Sequence, residues 1–347
     1  MDVVELAHKA ISPILYSLGF YQRSWSRKAK TQGIVAVPYY HRIVDSHEVN
    51  SGLLADELGV PADIFEAQMR FMLKHFTPIR PSQVNEALKK PGLYFTVTFD
   101  DGFEDNYTVA APILKKLGIS GAFYVVSDYV GTDKLFWWEQ LAYLLKNTQK
   151  KQIDISQVYP LWLEQEKLPK IILLDSAVHV QEAQKKLAAA FRHTKPCDIP
   201  QTILKLAKEL AVAAVQIGRD HPLMNWEQLH DLQNQGFEIG GHTASHINLG
   251  KAETNDYAHE INQSTQDLSS KLKSPVETFA YPYGTFSHYT HAASKEVANN
   301  GYTCAFTTNN GVITQSSDKY EYPRFTLNKS WPFACAFNVA SAFRSGS

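Results

Sequence analysis

Hydrophobic positions along this chain switch between two periods. Short, nearly unbroken apolar runs read as buried strands, and runs with apolar residues three and four apart read as amphipathic helices. Val4, Ala7, Ile11, Ile14 and Leu18 recur at helical spacing, predicting a helix over 3–18. Its polar face is poor in Lys and Arg, so it is expected to pack on the protein rather than lie on a membrane. A strand run follows at 33–43, then a helix over 61–76 with Asp63 as its N-cap candidate. Strands are predicted at 93–99 and 120–127, flanking a helix over 106–118 that Gly118 stops. Further on come a helix at 225–236, a strand at 237–241, a helix at 253–272 and a strand and turn at 276–284. A helix at 288–301 and a strand and turn at 302–311 complete the series.

Strand and helix alternate with short connections, which implies parallel strands joined by crossover helices: an α/β barrel or an open sheet. In such folds functional side chains collect at the C-terminal ends of strands. Tyr40 and His41, Asp100 and Asp101, His242 and Tyr283 all fall at such ends. Between about 131 and 222 the alternation gives way to helix-rich sequence, read as an insertion on a barrel loop. The expected organisation is an N-terminal helical segment (1–32), a barrel (33–330) carrying that insertion, and a C-terminal tail (331–347).

Composition narrows the function classes. With 34 Lys+Arg against 35 Asp+Glu in 347 residues, no global basic field favours nucleic acid. The local basic stretch at 21–30 reads as solvated surface and leaves a peripheral contact with anionic lipid open. Three scattered cysteines, Cys197, Cys304 and Cys335, form no disulfide framework. No signal peptide or transmembrane run is evident, so the expected location is cytoplasmic.

The chemistry lies in "TFDDGFEDNY" (98–107) and "GGHTASH" (240–246). Adjacent aspartates at the end of a buried strand are costly unless a cation offsets them. His242 and His246, four apart, can reach one ion together. Two imidazoles and one carboxylate leave coordination positions for water and substrate, as in catalytic metal sites. The other carboxylate, just outside, can take a proton from activated water. Spacing alone does not say which aspartate does which. HTASH is not HExxH: Thr243 stands where that motif has Glu, and a Gly-Gly turn precedes the pair. The same ligand set serves non-haem iron oxygenases, but those favour an all-β scaffold.

These motifs, with "TFAYPYG" (278–284) after them and "YYHRIV", "CAFTTNNGVI" and "YPRFTL" at the flanks, resemble the polysaccharide deacetylases of the NodB-homology type, carbohydrate esterase family 4. The resemblance implies a distorted (β/α) barrel of about seven parallel strands. It also implies hydrolysis of N-acetyl groups on sugars by attack of water bound to a divalent metal, usually zinc. By position Asp101, His242 and His246 match the metal ligands and Asp100 the general base. Thr243 would orient the second histidine, and the Tyr283 backbone N–H would face the oxyanion and the substrate.

Two positions depart from the family pattern. Ala280 stands where many members have an Arg that holds the catalytic Asp, and Arg324 is the candidate replacement. No His follows His291 to serve as the late acid, and His41 is the candidate instead. Trp137 or Trp138 could stack a sugar ring or pack a core; His288 and His291 read as helix-cap and surface residues. The expected substrate is an N-acetylated glycan, glycolipid or nucleotide-linked sugar. A deformylase or other small-amide hydrolase, or a non-catalytic sugar-binding scaffold, are the alternatives.

Overall fold

The computed structural model describes residues 14–44, 59–213, 222–327 and 332–345. It divides into two compact units. The first gathers the described residues of 1–49, 58–132 and 221–347, the second those of 133–220.

The first unit is built on seven strands: β1 (Tyr39–Tyr40), β2 (Val97–Phe99), β3 (Gly121–Val125), β4 (Glu238–Gly241), β5 (Thr278–Ala280), β6 (Cys304–Asn310) and β7 (Tyr322–Arg324). They lie side by side in sequence order, and every neighbouring pair is parallel. A parallel sheet in which each strand joins its predecessor by a right-handed crossover curls on itself. Here the edges meet. Phe325 N donates to Val37 O and Tyr39 N donates to Phe325 O, both at 3.1 Å. The sheet is thus nearly closed into a barrel, the distorted (β/α) form that the sequence resemblance implies. Ahead of β1 and β2, Gly33–Ala36 and Gly92–Phe95 pair in parallel and lengthen those two staves.

Alternation along the strands sorts side chains to two faces. Tyr40, Phe99 and Phe123 stack across β1, β2 and β3, with ring centroids 5.7 and 4.9 Å apart, and Phe65 of helix Ala62–His75 meets Tyr40 edge-on at 5.0 Å. Tyr40, read as a rim residue, therefore faces the helix layer, where its hydroxyl donates to Gln68 Oε1 at 2.7 Å. The opposite face carries Ala122, Tyr124, Ala280, Phe306 and Tyr322 as a second buried cluster.

Helices cover the sheet where the apolar spacing expects them, with differences at their ends. Asn225 caps Trp226–Asn234 through a bond from the Gln228 N–H, and Gly118 ends Ala111–Leu117 in the left-handed conformation. Asp63, the expected N-cap, sits two residues past the cap position: Ala62–His75 starts directly after Pro61, and the Asp63 carboxylate lies in the first turn, where the dipole favours it. Residues 331–347, read as a tail, instead contribute helix Pro332–Ser345. Its Cys335, Ala336, Val339 and Phe343 are buried in the main core. Of the helix expected over 3–18, residues 3–13 lie outside the described residues.

In the second unit, helices Trp137–Asn147, Ala177–His193 and Ile199–Glu209 accompany an antiparallel pair, Gln152–Asp154 with Ile171–Leu173. Phe191 organises its core, stacked on Trp137 at 5.1 Å and edge-on to Trp162 at 4.8 Å.

Candidate active site

Asp100 and Asp101 follow β2, His242 follows β4 and Tyr283 lies in the turn after β5. Arg324 ends β7, and His41 follows β1. The carboxyl ends of five parallel strands therefore supply every candidate in the barrel.

Asp100 is held by Arg324 in a two-pronged ion pair: Nη1 donates to Oδ1 and Nη2 to Oδ2, both at 2.8 Å. The guanidinium is fully buried. It also donates to Thr307 O and to Thr98 Oγ1, at 2.8 and 2.9 Å, and lies 4.7 Å over the Tyr39 ring. All three nitrogens of the planar fork thus donate, an arrangement Arg supports and Lys does not. Burial opposes charge on Asp100, but Arg324, with smaller help from His242, outweighs it and holds the carboxyl below its ordinary range.

Asp101 has the opposite surroundings. Its Oδ1 lies 3.4 Å from His242 Nε2 and 3.2 Å from His246 Nε2. That oxygen is buried and accepts no well-formed hydrogen bond. His242 Nδ1 lies 2.7 Å from Ala280 O. A carbonyl only accepts, so Nδ1 carries the proton, and in the neutral ring Nε2 presents a lone pair to another acceptor. Burial pushes His246 below its ordinary pKa and so favours its neutral ring too. Burial also opposes charge on Asp101, yet the neighbouring imidazoles hold its carboxyl well below the usual range. One potential ligand atom each from Asp101, His242 and His246 lies within 4.8 Å of the other two, a set that could hold a divalent cation. The His242–Ala280 bond fixes ring orientation, as outer partners of metal ligands do.

The backbone here is strained. Seven described non-glycine residues have positive φ, and four of them are Asp101, Thr243, His246 and Tyr283. Left-handed backbone at such residues costs about 1–3 kcal/mol each and collects at functional sites. HTASH is therefore a tight loop and not a helical turn, and Thr243 Oγ1 accepts from the His246 N–H at 2.9 Å. The preceding Gly-Gly is needed for close packing: a Cβ on Gly240 would lie 2.2 Å from the Tyr124 ring.

Tyr283 turns its ring edge-on to His246 at 4.8 Å, and its carbonyl accepts from Thr308 Oγ1 at 2.6 Å. His288, read as a cap or surface residue, packs 5.3 Å from the Tyr283 ring, while Thr290 caps the helix that starts at His291. His41 is half-buried, 5.9 Å from the Tyr39 ring. Its carbonyl accepts from Asn106 Nδ2 at 2.9 Å, and the same amide bonds Asp105 Oδ1. Asp105 pairs with buried Arg42 at 2.7 Å, and burial pushes its carboxyl up to about 6. Trp138 belongs to the second unit. It is buried and stacked on Phe136 at 4.4 Å, so packing already occupies one of the ring faces that the stacking expectation needs.

Tyr39, Thr98, Thr307 and the Ala280 carbonyl escaped the sequence reading. Only Thr98 and Tyr39 left a trace: both lie on inward positions of strands that end at the motifs.

A polysaccharide deacetylase family model matches residues 181–305, the part of the chain that holds His242, His246 and Tyr283. Over that stretch the chain is similar to the polysaccharide deacetylases. YxkH of Bacillus subtilis (strain 168), which carries the family's name, is 34% identical over 90 residues, 24% of this chain and 31% of that one. The chain thus spans about a third of that relative's length. Among solved structures it resembles the deacetylase PplD of Streptococcus pyogenes, determined in complex with acetate. The TM-score is 0.51 at 19% identity, covering 85% of this chain and 92% of that one. It also resembles a de-N-acetylase from Aggregatibacter actinomycetemcomitans, with a TM-score of 0.54 at 14% identity over 88% of this chain and 99% of that one. At these identities the two structures share the family's fold with this chain.

Proposed function

We propose that this chain removes N-acetyl groups from an N-acetylated sugar, using a divalent metal, zinc first among the candidates, held by Asp101, His242 and His246. The observation that carries the reading is the contrast at the barrel mouth. A carboxylate paired with Arg324 stands beside three buried side chains, Asp101, His242 and His246, whose ligand atoms converge within 4.8 Å. When bound, the metal would polarise the amide carbonyl and make water a nucleophile near neutral pH.

The chain's own groups account for the proton movements. Asp100, kept ionised by Arg324, retains a lone pair on each oxygen and accepts the proton of the attacking water. A C–O bond forms at the carbonyl carbon, and in this reading the Tyr283 N–H faces the developing oxyanion. The C–N bond then breaks with a proton delivered to nitrogen, for which His41 is the donor. Acetate and a free amine result. The three cysteines, all free, fit a reducing compartment, so a glycolipid or nucleotide-linked sugar joins glycans as a candidate substrate. Among the described residues no helix is long and apolar enough to cross a membrane.

The test is metal analysis of the purified protein together with acetate release from N-acetylated sugars presented free, nucleotide-linked and lipid-linked. About one metal per chain and acetate release are expected. Metal-replete protein that releases no acetate from any of them would sink the reading. Formate release from N-formyl sugars alone would move it to deformylation.

A further inference from the structure

The loop between the two histidines is strained, and something must hold it. Ser127 N and Asp128 N donate to Thr243 O and Ala244 O at 3.2 and 3.0 Å, fixing one side of the loop. On the other side stands Glu260, a buried carboxylate with no part in the proposed chemistry. Its Oε2 accepts from Ala244 N at 3.1 Å and Ser245 N at 2.9 Å, and its Oε1 from Ser245 Oγ at 2.6 Å. Its backbone carbonyl accepts from Ala244 N as well, at 3.0 Å. Ala244 and Ser245 lie between Thr243 and His246, both at positive φ.

We infer that Glu260 is a positioning residue for the metal centre, clamping the loop so that His242 and His246 Nε2 converge on the Asp101 oxygen. Without the carboxylate the Ser245 N–H and hydroxyl would lack acceptors and the Ala244 N–H would keep only the Glu260 carbonyl, and an unsatisfied donor away from water drives rearrangement. The loop relieves its left-handed residues by rearranging, and that separates the two imidazoles. Glu260 thus acts on metal affinity through backbone it bonds directly, as outer partners of ligands do. The inference rests on the metal-binding reading above.

The experiment is competition titration of metal-free protein with zinc against a chromophoric chelator, alongside the Tm of the metal-free form. In Glu260→Gln the amide NH2 meets donors on one side, and zinc affinity is expected to fall about 10–100-fold, with the metal-free Tm within a few degrees of wild type. Ser245→Ala, which removes only the hydroxyl donor, should lose a few-fold and stays informative if Glu260→Gln does not fold. Wild-type affinity in a folded Glu260→Gln, or in Ser245→Ala where that variant alone folds, overturns the inference. So does a metal-free Tm that drops while zinc affinity holds, which would make Glu260 a purely structural group. Failure of the wild-type protein itself to bind zinc would instead count against the metal-binding reading.

Discussion

Asp100 and Asp101 are neighbours in sequence, equally buried, and live in opposite electrostatic worlds. Asp100 is satisfied from within: Arg324 covers both its oxygens, and Thr98, Thr307 and Tyr39 in turn satisfy or cover the guanidinium. Asp101 faces two imidazole nitrogens on a backbone at φ 74°. Folding completes the first half; in the proposed reading a divalent cation completes the second.

Removing a group from either half should expose the asymmetry. The largest effect is expected from His242→Ala, which takes one of three donors and a fixed ring orientation. Metal content should fall to background and acetate release with it; stoichiometric metal in that variant would contradict the ligand set. Asp100→Asn should keep the metal while the rate drops by about 10²–10⁴-fold, the usual worth of a positioned acid or base. Loss of metal in Asp100→Asn would mean that the two aspartates share one role. Arg324→Met leaves a buried carboxylate without its partner and should destabilise by about 3–5 kcal/mol in denaturant unfolding, more than any exposed ion pair would. His41→Ala is expected to slow acetate release by about 10–100-fold and to remove one limb of the pH–rate profile. A wild-type profile would return His41 to a packing role.

The smallest effect concerns Asp105, in a third kind of surroundings: paired with Arg42 yet pushed up to about 6 by burial. Its folded pKa lies above its unfolded value. Its stabilising contribution is therefore full below the unfolded value, about 4, and is lost as pH rises through about 6. Thermal unfolding of Asp105→Asn should lack that decline between pH 4 and 6.5. An identical pH dependence in wild type and variant would show that Arg42 keeps Asp105 fully ionised.

Local patterns in the chain determined a good deal. Alternating periods announced parallel strands, and polar residues ending apolar runs announced the mouth of the barrel. DD and HTASH announced a candidate cation site, because adjacent carboxylates and two imidazoles four apart end buried strands there. Helix ends were legible where a cap is chemical, as at Asn225 and Gly118, and missed where packing set them, as at Pro61. Tyr40 was misread because a two-residue strand is too short for its alternation to show which face each ring takes. The C-terminal helix was taken for a tail because its apolar residues match a surface elsewhere in the barrel, and no local pattern records that surface. Tertiary structure alone decided that Arg324 meets Asp100, 224 residues away. Their meeting depends on β7 closing against β1, a contact that sequence spacing does not encode. It also decided that Glu260 reaches the histidine loop. A carboxylate 14 residues beyond His246, on the following helical segment, has nothing in its neighbourhood along the chain to mark which peptide groups it will hold.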